Sequence, residues 1–84
     1  MILSTTDATD VPNVRNFVSY YFAAAGGNVA LQRRLSDGTL VALANSPILD
    51  GEEVEITTVT ANSTLVATAT VTDTELTYGV LKTQ

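Results

Sequence analysis

There is no cysteine and no histidine among the 84 residues. The first absence removes disulfides, zinc–thiolate sites and a thiol nucleophile; the second removes the commonest general base and the commonest transition-metal ligand. Basic residues are scarce, with four Lys and Arg against nine Asp and Glu and a formal net charge of -5. Only Arg33 and Arg34 are adjacent, while Arg15 and Lys82 stand alone. The clustered cationic face that nucleic acid or an anionic bilayer requires is therefore not there, and neither is expected as a partner. No apolar run approaches the roughly 20 residues needed to span a membrane as a helix. The opening Met1-Ile2-Leu3-Ser4-Thr5-Thr6-Asp7 has neither a basic segment nor a long apolar stretch, so it does not read as a secretory leader and synthesis in the cytoplasm is expected.

A chain of this length holds one core. A domain of this size buries only about 60–65% of its extended surface and usually leans on disulfides, metal or a partner subunit. Association is the support left here, so a homo-oligomer is expected.

What is present is Thr, Val, Leu and Ala, with only 15% charged residues. That composition suits half-buried pleated surfaces better than helices. Residues 1–13 show little periodicity, and the Val11-Pro12 step favours extended backbone; they read as an extended arm ahead of a single β domain over residues 14–84. Over residues 14–25, Val14, Phe17, Val18, Tyr21, Phe22 and Ala25 fall at helical spacing, yet Phe17 to Phe22 is aromatic and β-branched and Gly26-Gly27-Asn28 suits a turn. Agreement with the rest of the chain favours a strand. Residues 29–35 and 39–45 flank Ser36-Asp37-Gly38, a short hairpin signal with glycine where positive φ is needed. Asn45-Ser46-Pro47 breaks the second strand, and Leu49-Asp50-Gly51-Glu52 turns the chain. Val54 and Ile56 alternate with Glu53 and Glu55, and a phase slip predicts a bulge near Thr57-Thr58. Beyond the Ala61-Asn62-Ser63-Thr64 turn, Leu65, Ala67, Ala69 and Val71 oppose Val66, Thr68, Thr70 and Thr72. A last turn at Thr72-Asp73-Thr74 leads to Leu76, Tyr78 and Val80 alternating with Thr77 and Gly79. About six short strands without a crossover helix predict an all-β fold, a small antiparallel β-sandwich or barrel.

Few residues could carry chemistry. Asp50, Glu52, Glu53 and Glu55 form the carboxylate cluster, and Glu53 and Glu55 on one strand would stand roughly 7 Å apart, within the span of an inverting glycosidase pair. Alternate acids on a strand are more simply its solvated face, and the spacing lacks a dedicated calcium loop. Ser and Thr hydroxyls have no histidine base. Gly26-Gly27 and Asp37-Gly38 are turns without the following lysine and helix of a phosphate cradle, and Asn62-Ser63-Thr64 reads as a turn, not a used glycosylation site. No catalytic residue, cofactor ligand or metal ligand is expected, and the chain does not read as an enzyme. The candidate protein contacts are Ile2, Leu3 and Val11 on the arm, the aromatic pair Tyr20 and Tyr21, of which one set fills the core and the other is an anchor, and Arg34. Of Arg33 and Arg34, one falls on each face, the core-side one at a rim or paired with an acid.

The segment Asn28-Val29-Ala30-Leu31-Gln32-Arg33-Arg34-Leu35-Ser36-Asp37-Gly38-Thr39-Leu40-Val41-Ala42-Leu43 resembles a hairpin common in small structural proteins of tailed phages. There, a valine-x-leucine-glutamine-arginine-serine strand enters an Asp-Gly turn and a second strand. Leu76-Thr77-Tyr78-Gly79-Val80-Leu81 is similar to the closing strand of such modules. Here Arg34 and Leu35 stand where serine and a variable residue are common, and Leu40 or Val41 where a tryptophan is frequent. The resemblance implies an immunoglobulin-like or jelly-roll-like module of the virion, most simply a capsid decoration protein that binds the major capsid protein, with other virion subunits and its own copies as further partners. A carbohydrate- or receptor-binding module of a tail fibre is the alternative. The resemblance brings no catalytic residues with it.

Overall fold

The computed structural model describes residues 1–12, 14, 18–43, 46–57 and 64–82. Among the described residues eight strands are formed: β1 (Ile2–Leu3), β2 (Thr9–Asp10), β3 (Ser19–Ala25), β4 (Val29–Arg34), β5 (Leu40–Ala42), β6 (Glu53–Thr57), β7 (Thr64–Ala69) and β8 (Thr74–Lys82). They make two four-stranded antiparallel sheets, one in the order β1-β8-β3-β6 and the other β2-β7-β4-β5.

The order has a simple origin. β4 and β5 are joined by the turn that glycine at 38 permits, with φ of +91°. Outward from that turn, β3 meets β6, β2 meets β7 and β1 meets β8, so the chain is one long two-stranded ribbon. The ribbon then rolls until β8 also pairs with β3 and β7 with β4. This is the eight-stranded jelly roll, which distinguishes it from the consecutive-hairpin sheets of an immunoglobulin-like sandwich.

The alternation read from the sequence places the core. Tyr20, Phe22 and Ala24 of β3, Val29 and Leu31 of β4, Leu65, Ala67 and Ala69 of β7, Ile56 of β6 and Leu76 of β8 all turn inward and are buried. The segment that also fits helical spacing is a strand from Ser19 onward. Its register against β8 shifts between Ser19 and Tyr20. The bulge expected near Thr57-Thr58 and the turn at 61–63 lie outside the described residues, as does the end of the strand expected over 39–45.

Residues 1–12 hold two short strands joined through bends at 5–7, and both strands lie in the sandwich. β1 and β2 supply an edge strand to each sheet. The Met1 carbonyl accepts from Leu76 N at 2.8 Å, the Leu3 carbonyl from Asp73 N at 2.8 Å, and Val11 N donates to the Leu65 carbonyl at 2.9 Å. Buried backbone groups need such partners, and here the sheets provide them. Two-residue strands are too short to show a period, which is why about six strands are expected from alternation and eight are found among the described residues.

Four connections pass from one sheet to the other at the same end of the sandwich: residues 4–8, 26–28, 43–52 and 70–73. This crossing end is laced together by Asn28. Its side-chain oxygen accepts from Asp50 N at 2.9 Å, its carbonyl from Thr70 N at 3.1 Å, and its own N–H donates to Thr70 Oγ1 at 3.3 Å. The opposite end, called the open end for brevity, carries the β4–β5 turn and the last residues of β2, β6 and β8, and there the chain also passes between the sheets from β2 to β3 and from β6 to β7.

Candidate interaction surface

The six residues singled out as protein contacts part company in the fold. Leu3 and Val11 are only 1% and 5% exposed and belong to the chain's own core, so their side chains do not serve a neighbour. The reason is parity: Leu3 lies opposite Thr74 on the inner face of β8, while Ile2, opposite Glu75, faces outward and stays exposed. Tyr20 is likewise a core residue, its ring 6.1 Å from that of Phe22, which in turn stacks on Tyr78 at 5.6 Å. Burial, with Tyr20 as a lesser cause, raises the Tyr78 pKa, and its hydroxyl donates to the Pro12 carbonyl at 2.8 Å.

Tyr21 takes the outer face of its sheet. It pairs with Gly79, and its ring lies across that residue so closely that a Cβ there would stand 2.8 Å from the ring. Tyr21 is therefore half-buried over the strand, a lid on the glycine and not a projecting anchor. Arg34 also faces outward and meets Asp10 at 2.6 Å. These two residues sit on β4 and β2, the two neighbours of β7, so the pair spans β7 on its outer side. Val66, the β7 residue opposite Asp10, is fully buried on that outer face. Arg33, on the inner parity with Val29 and Leu31, is half-buried at the open end.

The carboxylates grouped in the sequence are separated by their tasks. Asp50 accepts from Gly26 N at 3.0 Å, and Glu52 from Leu49 N at 3.4 Å, so both brace the crossing end. Glu53 and Glu55 project into solvent from β6, an edge strand, opposite Ala23 and Tyr21. Charge on an edge strand discourages pairing with another sheet. Asp37 accepts from Thr39 N at 2.9 Å, and that hydrogen bond holds its pKa below the ordinary 3.8. Hydroxyls are similarly committed: Thr74 Oγ1 donates to the Val71 carbonyl at 2.7 Å, and Ser19 Oγ and Thr57 Oγ1 share a hydrogen bond of 2.8 Å. Among the described residues, no three His, Cys, Asp or Glu side chains are grouped as a metal site.

What the sequence reading missed is where the uncovered aliphatic side chains gather. Among the described residues, Ile2, Leu40, Leu49, Val71, Val80 and Leu81 are the large apolar residues left exposed. Leu49 and Val71 lie in two of the four crossing connections, and Val80 and Leu81 at the last turn-ward residues of β8. Val80 even has inner-face parity, opposite Tyr20, yet is 53% exposed. No periodicity marks such positions, since the alternation that places Val80 inside says nothing about where the facing sheet stops.

Fold and surface together define a small jelly-roll β-sandwich with apolar residues uncovered at both ends. No protein-family model, curated protein or solved structure matches this chain.

Proposed function

We propose that this chain is a structural protein of a virus particle: a capsid decoration protein of a tailed phage, which binds the major capsid protein and stabilises the shell. It works without catalysis or cofactor, and its place is the virion. The observation that carries the reading is the pairing of an all-β body, Tyr20 and Phe22 in its core, with six exposed aliphatic side chains among the described residues. Exposed apolar groups of this size suit burial against other subunits. The hairpin sequence around Asp37-Gly38 adds the resemblance to tailed-phage modules. Ile2, on the outer face of β1, is the contact candidate that the fold leaves available.

The mechanism is linkage. A protein that binds the assembled shell and not its dissociated parts stabilises it by about 2.7 kcal/mol per site when present at 100 times its Kd. Many copies on one lattice multiply a modest affinity. The tail-fibre reading gains no specific support, because Tyr20 and Phe22 are buried and Tyr21 and Tyr78 half-buried, leaving no described aromatic ring as an open sugar platform. The test is co-sedimentation of the purified chain with emptied phage shells, together with the temperature at which those shells come apart. Saturable binding and a higher disruption temperature are expected. A chain that ignores shells but is retained on immobilised glycans overturns the proposal in favour of the fibre module.

A further inference from the structure

β5 is an edge of its sheet, with β4 on one side and, among the described residues, no strand on the other. Its ladder to β4 runs past the ends of the strand: Leu35 N donates to the Thr39 carbonyl at 2.8 Å, and Leu43 N to the Leu31 carbonyl at 3.1 Å. Alternate residues of an antiparallel strand turn their backbone groups to opposite sides. Thr39, Val41 and Leu43 therefore direct theirs at β4, while Leu40 and Ala42 aim N–H and carbonyl away from the sheet. Both of these residues are exposed, Leu40 to 39%. Thr39-Leu40-Val41-Ala42-Leu43 also has neither charge nor proline, the devices that keep sheet edges apart. The other three edges are protected. β6 carries Glu53 and Glu55, and β1 and β2 are two residues long.

We propose that β5 pairs with β5 of a second copy, antiparallel about a two-fold axis at Val41. A row of outward N–H and carbonyl groups takes an extended strand as its partner, and β5 itself has the matching charge and side-chain sizes. This register sets Leu40 opposite Ala42 of the second copy and Ala42 opposite its Leu40, so each pair exchanges two hydrogen bonds. A large side chain then lies beside a small one, and no charge meets a like charge. Pairing of two β6 strands would instead bring Glu53 and Glu55 of one copy against those of the other, which rejects that edge. The contact is isologous and stops at two chains. So short a strand makes a small interface, and the dimer is accordingly a weak one. The inference goes beyond the shell reading, concerns the chain alone and holds or fails without any shell present.

The experiment joins sedimentation equilibrium to cross-linking, with circular dichroism to establish that each variant is folded. The mass of the full chain is expected to rise from one chain toward two with concentration. Ala42→Pro removes an outward N–H and leaves the ladder to β4 in place, and Leu40→Lys puts a charge on the edge without touching the backbone. Each is expected to weaken the dimer by about tenfold or more. Because the chain has no cysteine, Val41→Cys introduces a single thiol. In the proposed register the two Val41 Cα atoms form a non-hydrogen-bonded pair about 4.5 Å apart, within the reach of a disulfide. Oxidised glutathione is expected to link this variant into dimers at least about tenfold faster than Ile2→Cys, exposed on an edge of the other sheet. A parent that stays monomeric at millimolar concentration overturns the proposal, as do masses that climb past two chains. So do equal cross-linking rates, or folded Ala42→Pro and Leu40→Lys variants that dimerise like the parent. Shell binding by a monomeric parent would sink β5 pairing and leave the decoration reading standing; a dimer that ignores shells would do the reverse.

Discussion

Gly27 illustrates how a single position can be dictated by packing and not by backbone conformation. A Cβ at this residue would stand 2.6 Å from Thr74 Oγ1 and 3.4 Å from Val71 Cβ. Thr74 cannot swing aside cheaply: it is fully buried, and its hydroxyl is held by the Val71 carbonyl. Moving it would leave a buried donor without its acceptor, which costs about 1–3 kcal/mol. Gly27→Ala is therefore expected to lower stability by about 1–3 kcal/mol, the range for overpacking, as read from the midpoint of urea unfolding. An unchanged midpoint would mean that the two connections are not packed this tightly. At Gly79 the same added methyl group meets the far end of the Tyr21 ring. That ring lies on the outer face and can rotate away, so the two glycines differ in cost for a reason visible only in what surrounds them.

At the level of elements, the two shortest strands matter beyond their length. β1 and β2 have two residues each, yet they carry Leu3 and lead into Val11, both in the core, and they pair with β8 and β7. Removing residues 1–10 deletes Leu3 outright and strips the partners from Asp73 N and Leu76 N. Loss of one buried leucine alone costs about 2–5 kcal/mol, a large part of the stability of a domain this small. The truncated chain is expected to lose its cooperative thermal transition, whether or not a shell is present. A truncated chain that melts as sharply as the parent would show that these residues are a separable arm after all. Truncation is thus a poor probe of docking, and Ile2→Asp, which alters an exposed side chain, is the cleaner one.

The whole molecule is a rolled ribbon in which sequence-distant segments must meet. Apart from β4 and β5, no consecutive strands pair among the described residues, and Ile2 finds Glu75 near the far end of the chain. Long-range pairing requires loop closure before contacts reward it, so all-β folds of this kind refold in about milliseconds to seconds. Refolding from urea in that window is expected by stopped-flow fluorescence of the tyrosines. A microsecond phase carrying the full amplitude would be inconsistent with this order of pairing.

Local chemistry made much of this legible in advance. Alternation in residues 64–69 and 74–80 settles which side chains face the core, because a strand has a period of two. The Asp37-Gly38 turn follows from glycine's freedom to take positive φ, and the strand character of Tyr20 to Ala24 from its aromatic residues and neighbours. Tertiary structure alone decided the rest. Ile2 and Leu3 are adjacent and similar, yet one is exposed and the other buried, because the edge of β8 selects a parity that two residues cannot announce. Tyr21 lies down on Gly79, and Arg34 reaches Asp10 across β7, through pairings between segments far apart in the chain. Composition and period are properties of neighbours along the chain, whereas burial is a property of whatever the fold brings alongside.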